Sequence, residues 1–260
     1  MRLFDTHCHL TWHADTDPPA ERVARARETG VERFLTVAVD LESARECAAI
    51  AAAIPGVQAS AGIHPNDVPK AAEREASLAE LAALLDGGEF VAVGETGLDY
   101  FRDWSEPADQ IACLEAHIDL AEAHGLPIIL HCRAAADALH EVLSARGRAI
   151  SGVMHCFSEG ASDAGRFLDL GLHVSFAGNL TYPKSDELRA AASFIPADRL
   201  LVETDAPFLA PQAKRGKRNE PAFVAHTLAF AAELRGVPAE ELAEQTYCNA
   251  VSLFGDKGAS

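Results

Sequence analysis

The chain has 260 residues, 48% of them hydrophobic, enough to bury a large core and close to the usual size of one (β/α)8 barrel. It carries 22 basic against 39 acidic residues, a net charge of −17 that repels polyanions at long range and argues against a nucleic-acid coat protein. An enzyme that meets phosphates through metal ions remains compatible with this charge, because a local positive centre outweighs a distant field.

Taken in chain order, short apolar runs alternate with segments of helical period. Runs at 3–6, 33–39, 57–63, 90–94, 127–130, Gly152–Met154, His173–Phe176 and Leu200–Val202 predict eight strands. Helices are predicted near 18–29, 41–54, 71–86, 111–121, 134–147, 160–170, 185–194 and 220–235. A ninth, at 239–254, closes the chain, and the last few residues are expected to fray. In 111–121, Ile111, Leu114, Ile118 and Ala121 form a core-facing stripe, which Gly125 and Pro127 then end.

Strand followed by helix, eight times over, points to a parallel sheet, since parallel neighbours need crossover connections. Strands such as VAVGE, PIILH and LLVET are nearly unbroken apolar runs, as expected of strands covered on both faces. An open doubly wound sheet is the competing architecture. It calls for a GxGxxG turn after the first strand, where this chain reads DTHCHL. No Gly-, Ser- or Pro-rich linker divides the sequence, so the expected fold is one (β/α)8 TIM barrel domain over 1–260 with an extra C-terminal helix.

The six cysteines contain no CxxC pair, Asp5 breaks the N-terminal apolar stretch, and the longest apolar run, 47–54, is far shorter than a membrane span. Free thiols and a cytoplasmic location without membrane association are therefore expected. Cys8 is expected to point into packing, and Cys47, Cys113 and Cys248 to be small buried hydrophobes within helices.

Five of the eight strands end in metal-ligating residue types. His7 and His9 close the first strand, two apart and so on one side of it. Glu95 follows VAVG, His131 ends PIIL, His155 ends GVM, and Glu203 and Asp205 follow LLV. Singly, each has a plainer reading: a hydrogen-bonded core histidine, a loop acid, a solvated turn. Jointly they occupy the C-terminal ends of strands, where barrel active sites form. A set of His, Glu and Asp without thiolate suits a catalytic divalent metal better than a structural zinc site.

These residues lie in stretches that resemble the TatD-type metal-dependent DNases, a branch of the metallo-dependent hydrolase barrels. The matching stretches are DTHCHL (5–10), GIHP (62–65), VGETGLDY (93–100), LPIILHCR (126–133), MHCFS (154–158), LLVETDAPFLAP (200–211) and RGKRNEP (215–221). They run in the family's order along the whole chain. Glu159 stands where a Gly is usual in the family, and Cys132 where Ser is common.

The resemblance implies two divalent ions (Mg, Mn or Zn), one held by His7, His9, Glu95 and Asp205 and the other by Glu95, His131 and His155. Glu203 would stand behind these ligands or at a third ion. It also implies hydrolysis of DNA phosphodiesters, 3′→5′ exonuclease-like, on single-stranded or frayed ends; no obligate protein partner is inferred. Glu95, Asp205 and His64 are the expected catalytic residues: Asp205 takes or orients the proton of the attacking water, and His64 binds phosphate or protonates the leaving oxygen.

Arg133, Lys214, Arg215, Lys217 and Arg218 are candidate substrate contacts, the last four packed into five positions after the eighth strand. Asp99 is a candidate support for the ligands or a candidate substrate contact, with a purely structural role as the plainer reading. Trp12 and Trp104 follow the first and fourth strands, where either base stacking or loop packing would employ them. Two other readings stand: a metal-dependent hydrolase of ester or C–N bonds in a small molecule or aminoacyl adduct, and a non-catalytic metal-binding or partner-binding barrel.

Overall fold

The computed structural model describes residues 1–102 and 104–255. Its strands are β1 (Leu3–Cys8), β2 (Val31–Thr36), β3 (Val57–Ala61), β4 (Ala92–Asp99), β5 (Ile128–Arg133), β6 (Gly152–Met154), β7 (His173–Phe176) and β8 (Leu200–Val202). All pair in parallel with their sequence neighbours, in the order β1 to β8, and a parallel bridge from Cys8 to Ala206 joins the two ends of the series. This is the (β/α)8 barrel that the alternation predicts.

The helices that follow the strands are α1 (Pro19–Arg27), α2 (Leu41–Ala53), α3 (Ala71–Asp86), α4 (Pro107–His124), α5 (Ala136–Ser144), α6 (Ala161–Asp169), α7 (Asp186–Phe194) and α8 (Val224–Arg235). Their ends follow local chemistry. Asp40 caps α2 by accepting the Ser43 N–H while the Ser43 hydroxyl receives the Asp40 N–H, a reciprocal capping box. Pro107 opens α4, where a missing N–H costs nothing, and Gly125 ends it in the left-handed region at φ 64°.

Two apolar layers result. The larger lies between sheet and helices. The smaller contains Phe4, Leu35, Ala92, Ile129, Val153 and Leu201 from the strands together with Tyr247, Ala250 and Phe254 of α9 (Ala239–Phe254). The Phe4 ring meets those of Tyr247 and Phe254 at 6.4 and 6.2 Å. Since Phe4 lies near the start of β1, α9 packs at the N-terminal end of the barrel and leaves the C-terminal end as the mouth. Asn249 secures α9 by donating to the carbonyls of Ala197 and Leu200 at 2.7 and 2.9 Å.

Four expectations are corrected. β4 and β5 extend beyond the predicted 90–94 and 127–130, to Asp99 and Arg133, so Glu95 and His131 lie inside strands rather than after them. The apolar pattern stops, but the β4–β5 ladder continues through Gly97↔His131 and Asp99↔Arg133. The segment 221–223 is a 3₁₀ turn preceding α8, and the fifth helix is shorter than 134–147. Cys248 is exposed, although Cys8, Cys47 and Cys113 are buried as expected. The predicted fraying falls on residues outside those described. Among the described residues no helix is long and apolar enough to cross a membrane.

Candidate active site

The barrel mouth is organised around one buried carboxylate. Glu95 Oε1 lies 2.8 Å from His131 Nδ1, 2.7 Å from His155 Nε2 and 3.5 Å from His64 Nε2. Its Oε2 faces His7 Nε2 at 3.4 Å. Asp205 Oδ1 approaches His9 Nε2 at 3.5 Å and His7 Nε2 at 3.9 Å. Five strands and the loop after β3 thus deliver side chains to one centre. Gly97 lets β4 approach β5 closely: its φ is +142°, and a Cβ there would lie 2.1 Å from the His131 carbonyl oxygen.

Partners behind the cluster face the outer nitrogens of His9, His155 and His131. His9 Nδ1 donates to the Val37 carbonyl at 3.0 Å, which turns Nε2 toward the centre and Asp205. Glu203 Oε1 sits 3.2 Å from His155 Nδ1 and accepts the Cys156 N–H at 2.9 Å. Asp99 Oδ2 stands 3.7 Å from His131 Nε2 and is held by Asn66 Nδ2 at 3.1 Å. A carboxylate or carbonyl behind a histidine is the usual outer support of a metal-binding imidazole.

The segment carrying Glu203 and Asp205 is clamped on both sides. Asp5, fully buried, accepts the Thr204 N–H at 2.8 Å and the Thr204 hydroxyl at 2.6 Å. Asn219 donates to the Thr204 carbonyl at 2.7 Å and also to the Phe208 carbonyl. Asp205 itself has a φ of 56°.

Burial and charge pull the ionisable groups apart. Burial by itself would raise Glu95, but the charges of His155 and His64 and hydrogen bonds from His131 and His155 outweigh it and hold the carboxyl well below its ordinary range. Asp205 is likewise lowered, its burial overcome by the His9 hydrogen bond and the charge of His7. Burial opposes protonation of His155, but Glu95 and Glu203 raise it well above the usual imidazole value. His64, with less compensation, is pushed by burial down to about 4. Asp5 is pushed up by burial to about 8, against the pull of its Thr204 hydrogen bonds.

The donor set fits a divalent metal. His7 Nε2 and His9 Nε2 face each other at 3.3 Å, about the separation of two nitrogens bound at ~2.1 Å to one tetrahedral ion. Three overlapping sets place their ligand atoms within 4.8 Å of one another: His7, His9 and Glu95; His7, His155 and Glu203; His64, Glu95 and His131. Two buried ring nitrogens here, His7 Nδ1 and His131 Nε2, have no hydrogen-bond partner within bonding distance among the described residues. A cavity of about 560 Å³ opens above the cluster, lined by residues that include His9, Trp12, His64, Glu95, Arg102, Trp104, His131, Arg133, Asp205 and Phe208.

The residues marked from sequence therefore converge, with one exception. None of Lys214, Arg215, Lys217 and Arg218 lines the cavity. Lys214 lies over the Phe223 ring and Arg215 over Tyr182, and the other two point to solvent. Asn219, from the same stretch, turns inward instead. The cavity's cations are Arg133 and Arg102, and the sequence reading missed the second. Asp5, Thr204 and Asn219 were missed as well, although adjacency to His7, Asp205 and the RGKRNEP stretch was an available signal.

A parallel barrel with a carboxylate and imidazole cluster at its C-terminal mouth defines the class of metal-dependent hydrolases. The model of the family described as TatD related DNase matches residues 4–255, and the chain belongs to that family. It is similar to the uncharacterized metal-dependent hydrolase YcfH of Escherichia coli K12, 38% identical over 98% of this chain and 96% of that one. It is 36% identical to the 3'-5' ssDNA/RNA exonuclease TatD of Klebsiella pneumoniae, over 97% and 98% of the two chains. Among solved structures, that of YJJV, a TatD homolog from Escherichia coli K12, superposes with a TM-score of 0.90 at 32% identity, covering 98% of each chain.

Proposed function

We propose that the protein is a nuclease that removes nucleotides from the 3′ end of single-stranded or frayed DNA, using two divalent ions held in the barrel mouth. The observation that carries this reading is the Glu95 carboxylate, one oxygen of which faces His7 while the other faces both His131 and His155. In this reading His7, His9, Glu95 and Asp205 would hold one ion and Glu95, His131 and His155 the other, with Glu95 contributing to both. Glu203 steadies His155 from behind. The exonuclease name of the Klebsiella relative supports phosphodiesters as the substrate. Divalent ions (Mg, Mn or Zn) would supply Lewis acidity and neutralise charge that develops on the phosphate.

The chain's own groups do the rest. Asp205 is ionised at neutral pH and faces the cavity, so it accepts or orients the proton of the attacking water. His64 Nδ1 accepts the Asn66 N–H at 3.1 Å, which places the ring proton on Nε2, toward the centre. Burial keeps this ring neutral, so it donates a hydrogen bond to a phosphoryl oxygen rather than delivering a full proton. Arg102 and Arg133 offer positive charge to the strand within a chain of net charge −17.

The test is a metal-titrated assay on end-labelled single-stranded DNA, a model ester and a model amide, with Glu95→Gln and Asp205→Asn as controls. Divalent-dependent shortening from the 3′ end, lost in both variants, is expected. Turnover of ester or amide while DNA stays intact would transfer the assignment to a small-molecule hydrolase. Cleavage of DNA that persists in both variants would place the chemistry elsewhere.

A further inference from the structure

Six large hydrophobic side chains are markedly exposed among the described residues, and four of them, Trp12, Phe101, Trp104 and Phe208, follow the mouth ends of β1, β4 and β8. Exposed aromatics scattered singly need no explanation, but a concentration around one opening does. Their arrangement is ordered. Trp12 and Phe208 meet edge to face at 4.9 Å between ring centroids, and both rings stand about 6 Å from His9, at 6.0 and 6.1 Å. On the other bank, the Arg133 guanidinium lies 4.0 Å from the Phe101 ring centroid and the Arg102 guanidinium 4.6 Å from that of Trp104.

The barrel order places these two banks across from each other. β8 and β1 are neighbours at the closure, and β4 and β5 lie half-way round the eight-strand ring. The Glu95 cluster occupies the floor between them, and Trp12 and Phe208 from one bank and Arg102, Trp104 and Arg133 from the other line the same cavity. Arg102 and Arg133 both line that cavity, so each brings a guanidinium to it together with an aromatic ring.

Resting on the nuclease reading above, we propose that the two banks form a pair of base-stacking platforms. They grip the unpaired nucleotides on either side of the scissile phosphate. A flat π face held over an aromatic ring or a guanidinium plane is the common way to bind single strands without reading their sequence. The Arg–aromatic bank supplies phosphate charge and a stacking surface together, and the Trp12–Phe208 bank supplies a surface directly beside His9. A duplex keeps its bases stacked on one another and cannot offer their faces to both banks. The banks thereby select unpaired ends.

Trp104 is 64% exposed, so its truncation leaves the core intact. The experiment compares wild type, Trp104→Ala and Trp104→Phe on three substrates. These are a single-stranded DNA oligonucleotide, the same oligonucleotide with abasic residues flanking the cleaved bond, and methyl p-nitrophenyl phosphate. Trp104→Ala is expected to raise KM on the ordinary oligonucleotide about tenfold, the cost of one base–aromatic stack. The abasic oligonucleotide should show a KM already raised in wild type and no further effect of the variant. Turnover of the small diester should be equal in all three proteins, and Trp104→Phe should restore most of the loss. An unchanged KM on ordinary DNA, or an equal loss on the abasic strand, overturns the stacking platforms and leaves the nuclease reading standing. Wild-type protein that hydrolyses the small diester but no DNA overturns both.

Discussion

His117, on the inner face of α4 and fully buried, offers a sharp test of how the floor of the site is held. Its Nδ1 lies 2.7 Å from the Cys113 carbonyl and its Nε2 accepts the Ile63 N–H at 3.0 Å, so the ring is neutral with its proton on Nδ1. Ile63 precedes His64, and this bond fixes the chain as it enters the GIHP turn. Burial pushes the imidazole from 6.5 down to about 4, against a smaller pull from the Cys113 carbonyl. The unfolded chain takes up this proton near pH 6.5, and the folded chain resists until about pH 4. Between those values the unfolded state binds more protons, so acidification destabilises the fold through this residue by about 2 kcal/mol at pH 5.

Replacing it in His117→Leu strands the Ile63 N–H in the core, at a cost of about 2 kcal/mol at pH 7.5. The variant has no such proton to take up. The stability gap between the two proteins, measured by urea unfolding from pH 7.5 to pH 4.5, should therefore shrink with acid and vanish near pH 5. A gap that stays constant across that range would refute the buried neutral ring, as would titration of His117 near 6.5 in an NMR experiment.

Three other outcomes follow from the site. Glu95→Gln keeps the shape but removes the charge shared among four imidazoles, and divalent affinity by isothermal calorimetry should fall by well over the ~10-fold that loss of even an outer partner causes; equal affinity would remove Glu95 from the metal centre. Asn219→Ala leaves the Thr204 and Phe208 carbonyls unpaired. It should cost about 1–3 kcal/mol in unfolding experiments and weaken Mn²⁺ binding, and intact binding would mean that Asp205 is held without this clamp. Gly97→Ala drives a Cβ into the His131 carbonyl, so little folded protein is expected. Gly147→Ala, at φ 65° with open space around it, should cost only about 1 kcal/mol; similar unfolding midpoints for the two would discount the close β4–β5 approach.

Much of this molecule is legible in one dimension. The alternation of apolar runs with helical stripes specifies eight parallel strands, because a strand covered on both faces must be apolar throughout and a helix on one. The bounds of β6, β7 and β8 match the predicted runs because hydrophobicity ends there together with the ladder. His7 and His9 point the same way because strand side chains repeat every second residue, and the remaining ligand types become visible once strand ends are known.

What the tertiary structure alone decided is where hydrogen bonding continues after hydrophobicity stops, and which long-range partners orient each ring. β4 and β5 run on through polar residues because each supplies the other's ladder bonds, a fact about two distant segments. The pairing of Asp5 with Thr204 spans 199 residues and that of His155 with Glu203 spans 48, so no local pattern announces either. The charge run at 214–218 reads as a phosphate handle only until the loop's path is known. Asn219 ties the loop down while its cations face outward, and the cavity takes its positive charge from Arg102 and Arg133. Periodicity reports which face of an element is buried. Only closure of the barrel determines which faces meet at its mouth.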